Sequence, residues 1–360
     1  MLSKVKEKKL AAACLKDHDI NELSRKVDYI RSLKGFWVDN FKSITKEELS
    51  SLEKERPTTR LLSIHTINGC NLACRACNHN SSLLSANSTV NIDQLLEDIE
   101  NILPKIYVWS HVSVIGGEPL LEPRTKEVTR VLRELCYGER GTQPCNVKLF
   151  SNGSRLLQEK EWIADEMLKG VVFRLTFHKP WYTPLGSVNW ENAAKFVRYL
   201  KSRGVDTENL LEFSEAFRLL DGKPRQWFDI VKYEFNDDSI KYYPFEEGDP
   251  EESFKHCSCP NSQLYNGHLW KCPMISYLRE SLHATDQVDD PAWKKYLDYK
   301  PTSINDTEEN LRKSFDEVLK PHDICTMCPR NPVWFTATKQ LDATMKKNVP
   351  MYAEETYDTV

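Results

Sequence analysis

From residue 61 onward two hydrophobic periods take turns along the chain. Leu61-Leu-Ser-Ile-His-Thr66, Val112-Ser-Val-Ile115, Val147-Lys-Leu-Phe150 and Val171–Phe177 are short apolar runs that predict strands, and Leu210 to Phe213 begins another. Between them, Ile92–Leu103 carries apolar residues at helical spacing behind Asn91 as N-cap. The helical period returns at Val128, Val131, Leu132 and Leu135, near Trp162–Leu168 and around Ala193–Leu200. Regular alternation of strand and helix predicts parallel βα units, in a doubly wound sheet or a barrel. Working groups in such folds sit on the loops after the carboxyl ends of the strands. Cys70–Cys77, Gly116–Pro119, Ser151–Gly153 and His178 all fall there.

The ends of the chain read differently. Residues 1–57 are charged and read as a helical or loosely ordered extension, with an aromatic patch at Phe36-Trp37. Residues 341–360 read as an exposed tail, and the acidic stretch Glu246–Glu252 as a solvated loop between two parts of the protein. Met1–Lys9 is basic, but the apolar run Leu10–Leu15, with Cys14 inside, is shorter than an export signal needs. No 18-residue apolar run is present, which argues against a membrane span and predicts a cytoplasmic chain. The 53 acids and 49 bases leave a net charge of −4, so no basic field exists to hold nucleic acid.

Eleven cysteines change the picture. In a reducing compartment, clustered thiols bind metals more often than they form disulfides. Cys70-Asn-Leu-Ala-Cys74-Arg-Ala-Cys77 supplies three thiolates, donors that suit zinc, copper(I) and iron–sulfur clusters. A structural zinc would need His65 or His79 as its fourth ligand. A [4Fe–4S] cluster ordinarily takes four cysteines, so three leave one iron open to something other than protein.

Cys-x₃-Cys-x₂-Cys after a first strand resembles the signature of the radical S-adenosylmethionine (radical SAM) superfamily. The resemblance covers roughly residues 58–230. It implies that Cys70, Cys74 and Cys77 hold a [4Fe–4S] cluster whose open iron chelates S-adenosylmethionine, and that a 5′-deoxyadenosyl radical takes hydrogen from a substrate. Gly116-Gly117-Glu118-Pro119 matches the family motif that binds the methionine amino group, and Ser151 and Asn152 resemble positions that contact the cofactor. One departure is Ala76, where many relatives carry an aromatic residue against the adenine. His178 is a candidate acid–base group after its strand.

A second group comprises Cys257, Cys259, Cys272, Cys325 and Cys328. The segment from Cys257 to Cys272 has the look of a hairpin turning at Asn266-Gly267. It resembles the opening of SPASM and Twitch auxiliary-cluster domains, and the cysteine count suits the shorter Twitch form with a second [4Fe–4S] cluster. Five thiols compete for four places. The spacing supports Cys257, while Cys259, expected directly on the hairpin strand and before Pro260, is narrowly favoured. A four-cysteine zinc knuckle is the structural alternative. Cys14, Cys136 and Cys145 show no partner spacing, and Cys136 reads as a small core residue.

The expected architecture is a partial (β/α)₆ TIM-like barrel at 58–240, a Twitch/SPASM-like domain at 241–340, the extension 1–57 and the tail 341–360. The expected activity is radical oxidation or epimerisation of a small polar metabolite, a sugar, cyclitol or nucleotide derivative. The auxiliary cluster would relay electrons, and an external flavodoxin- or ferredoxin-type protein would supply them. Two other readings stay open: a peptide-modifying radical SAM enzyme, and a zinc-stabilised binding protein without catalysis.

Overall fold

Five parallel strands, β1 (Thr58–His65), β2 (Tyr107–Ile115), β3 (Asn146–Ser151), β4 (Val172–Phe177) and β5 (Leu211–Glu215), lie side by side in chain order. This computed structural model describes residues 20–32, 45–217, 224–236, 239–246 and 248–336, apart from 139, 142, 144, 258 and 260. The basic N-terminal run, Leu10–Leu15 with Cys14, the Phe36-Trp37 patch and the tail 341–360 lie outside the described residues. Among those described, no helix is long and apolar enough to cross a membrane.

Helices α1 (Ile20–Ser32) and α2 (Lys46–Glu55) precede the sheet, and α3 (Ile92–Ile102), α4 (Thr125–Tyr137), α5 (Leu156–Met167) and α6 (Pro184–Ser202) are its crossovers. Asn91 caps α3 as expected, its side chain accepting from Gln94 N. Strand alternation separates the two faces of the sheet. Val112, Val114, Val147, Leu149, Phe173, Leu175, Leu211 and Phe213 enter one hydrophobic core with the helices. The residues between them face the other way and are polar: buried Lys148 pairs with Glu212 at 2.8 Å, and Arg174 reaches Glu212 at 3.6 Å. Helix α1 packs on α6 through Leu23 and Val27, and its Arg31 pairs with the buried Glu215 at 2.8 Å.

The expected partial barrel is present, and its sixth parallel strand comes from an unexpected place. The short strand β6 (Gln226–Trp227) and the hairpin β7 (Lys232–Asn236) and β8 (Ser239–Tyr243) stand outside the main sheet. The next strand, β9 (Ser262–Tyr265), joins the opposite edge of the sheet, parallel to β1. Strands β10 (His268–Trp270) and β11 (Thr302–Ser303) extend that edge antiparallel, giving the order β11-β10-β9-β1-β2-β3-β4-β5. Asn266 and Gly267, with φ of 48° and 71°, form the turn of the β9–β10 hairpin. The last strand, β12 (Phe335–Thr336), pairs with β6.

A second hydrophobic core gathers Ile230, Val231, Tyr242, Met274, Ile275, Trp293, Tyr296, Ile324 and Met327. Ala73 and Leu83, from the first cysteine loop, belong to it as well. Beyond that loop its earliest members along the chain are Ile230 and Val231, and β8 spans position 240. The acidic stretch is also partly helical, because Asp249 caps Pro250–Lys255 by accepting from Glu251 N and Glu252 N.

Candidate functional site

The loops after β1 and β2 are bound together by backbone. Thr66 N donates to Ile115 O, Gly117 N to Ile67 O and Glu118 N to Gly69 O, at 2.9–3.0 Å, so the β1–β2 pairing continues past both strand ends. A Cβ on Gly117 would collide with the Gly69 carbonyl, and one on Gly116 with the Ile67 carbonyl. The two glycines let the β2 loop lie against the backbone that enters the cysteine triad. Glu118, fully buried, accepts from Ser151 Oγ at 2.8 Å, Leu120 N at 3.1 Å and Asn152 N at 2.7 Å. Burial pushes its carboxyl up to about 7, against the opposing pull of those three donors.

Asn152 continues the clamp. Its Nδ2 donates to Asn71 Oδ1 at 3.0 Å and reaches Cys70 Sγ at 3.8 Å, while its Oδ1 accepts from Ser154 N. Ser151 and Asn152 thus tie the end of β3 to Glu118 and to the cysteine loop. That role is not visible in a Ser-Asn-Gly sequence, which reads equally well as a turn.

A cavity of ≈ 230 Å³ brings the expected residues together: Cys70, Cys74, Cys77, Gly116, Gly117, Glu118, Pro119, Ser151, Asn152 and His178 all border it. Phe150, Thr176 and Trp227 close its barrel side. Burial raises the Cys70 thiol and pushes Cys74 up to about 12. A bound cation reverses that tendency, since coordination deprotonates a thiol. His178 Nδ1 lies 3.6 Å from Cys74 Sγ, and burial, followed by the Lys179 charge, brings its pKa down to about 4. The imidazole is therefore neutral and keeps one N–H to offer a sulfur. Ala76 occupies the left-handed region at φ 58° and is buried, so a short side chain stands where the chain reverses between Cys74 and Cys77.

Of the two histidines considered as zinc ligands, His65 is buried and turned toward β9, while His79 borders the first cavity beside the cysteines. His65 Nε2 is 2.6 Å from Gln263 Oε1 on β9, and its ring packs against His79 and Tyr277. Three cysteines, a glycine-built cradle and a buried carboxylate fit a cluster with one open iron and an amino-acid cofactor better than a four-ligand zinc.

The C-terminal cysteines surround a second cavity of ≈ 50 Å³, bordered by Cys257, Cys259, Cys272, Cys325 and Cys328 with Phe228, Ile230, Met274 and Met327. Burial raises the Cys328 thiol, and Cys272, Cys257 and Cys325 add to the effect. Burial also pushes Cys272 up to about 12, with Cys257 and Cys325 again its thiol neighbours. Cys259 lines the same cavity and its thiol is hydrogen-bonded with that of Cys257; its sulfur also accepts from Asn78 Nδ2 at 3.4 Å, and its N–H donates to Cys257 Sγ at 3.4 Å. It also precedes β9, contrary to its expected place on the strand. Asn78 borders the first cavity, so the pair Asn78–Cys259 connects the two. Cys136 and Cys145, which had no spacing to suggest a relation, meet in the barrel core with sulfurs 3.8 Å apart.

Residues 64–211 match the family model of the Radical SAM superfamily. The chain carries a radical SAM domain. That domain holds Cys70, Cys74 and Cys77, the Gly116–Pro119 loop, Ser151, Asn152 and His178. The superfamily implies a [4Fe–4S] cluster and S-adenosylmethionine. Among solved structures, similar ones include BtrN in complex with AdoMet and 2-DOIA, 12% identical over 76% of this chain and 92% of that chain, TM-score 0.39. Native anSMEcpe with bound AdoMet and Cp18Cys peptide is 21% identical over 44% of this chain and 42% of that one, TM-score 0.31. SuiB from Streptococcus suis bound to precursor peptide SuiA is 12% identical over 82% and 84%, TM-score 0.29. No curated protein matches the chain.

What the sequence did not reveal is the seam between the radical SAM domain and the second core. Arg75, between Cys74 and Cys77, pairs with Asp229 through contacts of 2.8 and 2.5 Å, and Phe335 lies under its guanidinium. Asn68 Nδ2 donates to Tyr265 OH, and Asn80 Nδ2 to Ser281 Oγ. These partners stand some 150 to 200 positions apart, beyond the reach of any local pattern.

Proposed function

We propose that the protein is a radical SAM enzyme acting on a small polar metabolite of the sugar, cyclitol or nucleotide class, with an auxiliary [4Fe–4S] cluster as its internal electron acceptor. The observation that carries this reading is the pair of cysteine-lined cavities linked through Asn78 and Cys259. Cys70, Cys74 and Cys77 would hold the first cluster. Cys272, Cys325 and Cys328 with Cys257 would hold the second, because these four thiols are mutual electrostatic neighbours. Cys259 would then serve the link to Asn78.

The cofactor, when bound, supplies a 5′-deoxyadenosyl radical. The chain's own residues fix and shield the place where it acts. Gly116 and Gly117 bring the two loops into contact, and Glu118 holds the ends of β2 and β3 in register. Its fourth acceptor position remains for an ammonium group. His178 is assigned to the sulfur of Cys74, where its distance supports a hydrogen bond to a cluster ligand, and not to proton transfer. For oxidation of a secondary alcohol to a ketone, the bound cofactor would take up one hydrogen atom, a base or solvent one proton, and the cluster held by Cys257, Cys272, Cys325 and Cys328 would supply the acceptor for one electron. Returning the hydrogen to the opposite face gives epimerisation without net electron loss. A flavodoxin- or ferredoxin-type donor would start each turnover.

Anaerobic reconstitution should give about eight iron and eight sulfide per chain. Cys74→Ala should keep about four of each, at the auxiliary site, and lose 5′-deoxyadenosine formation with dithionite. Continued formation in that variant overturns the radical site. About four irons in the wild type, with zinc in the C-terminal unit, removes the internal acceptor and leaves a redox-neutral reaction.

A further inference from the structure

Lys271 stands beside the C-terminal thiols with its nitrogen fixed by geometry. It immediately precedes Cys272, borders the second cavity and is 5% exposed. Its Nζ donates to three backbone carbonyls, those of Glu317, Val318 at 3.3 Å and Lys320 at 2.5 Å. These acceptors lie at and just beyond the C-terminal end of the helix Glu308–Val318, where carbonyls lack partners in the helix and the dipole is negative. An ammonium offers one N–H to each of the three carbonyls, a match that a neutral amine with two N–H groups does not make. Phe254 covers the nitrogen at 5.1 Å. Burial works against the charge, while the thiols of Cys325, Cys272 and Cys257 favour it.

We propose that Lys271 is a redox-tuning residue: a buried cation that raises the reduction potential of the C-terminal cluster and so suits it to accept an electron. The inference rests on the auxiliary-cluster reading. Adding an electron to a cluster with four thiolate ligands adds negative charge, and a fixed positive charge in a region of low dielectric stabilises the reduced form more than the oxidised one. The helix end holds the ammonium in place beside the cavity. Lys271 does not touch substrate and is not a catalytic residue.

The test is anaerobic redox titration of the full-length reconstituted protein, following both clusters by electron paramagnetic resonance. Lys271→Gln keeps two N–H donors for the helix end and loses the charge. Lys271→Arg keeps both charge and donors. The Gln variant should lower the midpoint of the auxiliary cluster and leave that of the first cluster unchanged, while Arg should restore the wild-type value. A purely structural role for Lys271 would lower thermal stability in the Gln variant without moving the midpoint. An unchanged midpoint in Gln, or an equal shift in Gln and Arg, overturns the inference. Where Gln does not retain its cluster, the Arg variant alone decides, since a shift there despite the retained charge overturns it. Iron and sulfide counts separate this from the underlying reading: a wild type with only one cluster refutes the auxiliary cluster itself, before any variant is compared.

Discussion

At Gly117 the loop after β2 runs so close to the Gly69 carbonyl that no side chain fits between them. The motif can be read in the sequence, but its reason cannot, because the atom it makes room for belongs to another loop. Gly117→Ala should therefore push the β2 loop away from Cys70, at a cost of about 1–3 kcal/mol for overpacking. Iron content at the first site should fall, with the sheet itself, read by circular dichroism, preserved. His111 is the counterpart on the polar face of the sheet. Burial, then the charges of Lys148, Arg174 and Arg60, lower its pKa to about 3. Ser110 Oγ lies 3.1 Å from its Nδ1. Between its ordinary value near 6.5 and that depressed value, the unfolded chain binds a proton that the folded chain refuses. Stability contributed at neutral pH is thus lost as pH falls below 6.5. Lowering the pH to 5.5 should cost about 1.4 kcal/mol through this residue alone. Urea unfolding at pH 7.5 and 5.5 should show a smaller drop in His111→Gln by about that amount.

Among the elements, the strands and crossover helices were legible because each carries its own period. Ile92–Ile102 begins at its expected cap, and β3 and β4 match the apolar runs to within a residue at either end. The β9–β10 hairpin was legible too, from Asn266-Gly267, but its destination was not. Pairing of β9 with β1 is long-range, and the short mixed segment Ser262-Gln-Leu-Tyr265 does not specify a partner. The same limit explains the two competing cysteines. Spacing leaves Cys257 and Cys259 nearly equivalent, whereas in space Cys257 neighbours Cys272, Cys325 and Cys328, and Cys259 meets Cys257 and Asn78. Cys257→Ala should accordingly lose about four irons at the auxiliary site, whereas Cys259→Ala should retain them. Iron and sulfide assays on the two variants check this, and the reverse pattern would return the ligand to Cys259.

Across the whole molecule, the cysteine loop after β1 belongs to both units. Ala73 and Leu83 fill the C-terminal core, Arg75 pairs with Asp229, and Asn78 reaches Cys259, all within a stretch that also presents Cys70, Cys74 and Cys77. The sheet passes without interruption from β5 through β1 to β9 and β10. Two hydrophobic cores would ordinarily allow two separate unfolding steps. Here the C-terminal core cannot open without uncovering Ala73 and Leu83, and the barrel edge cannot open without freeing β9. The coupling should win. Anaerobic urea unfolding of the reconstituted protein should give coincident transitions for far-ultraviolet circular dichroism, tryptophan fluorescence and visible cluster absorbance. The same coupling carries into variants, since truncating a buried leucine commonly costs about 2–5 kcal/mol. Leu83→Ala should lower the midpoints of all three signals together. A variant in which the fluorescence and cluster signals separate would instead assign the two cores to independent units.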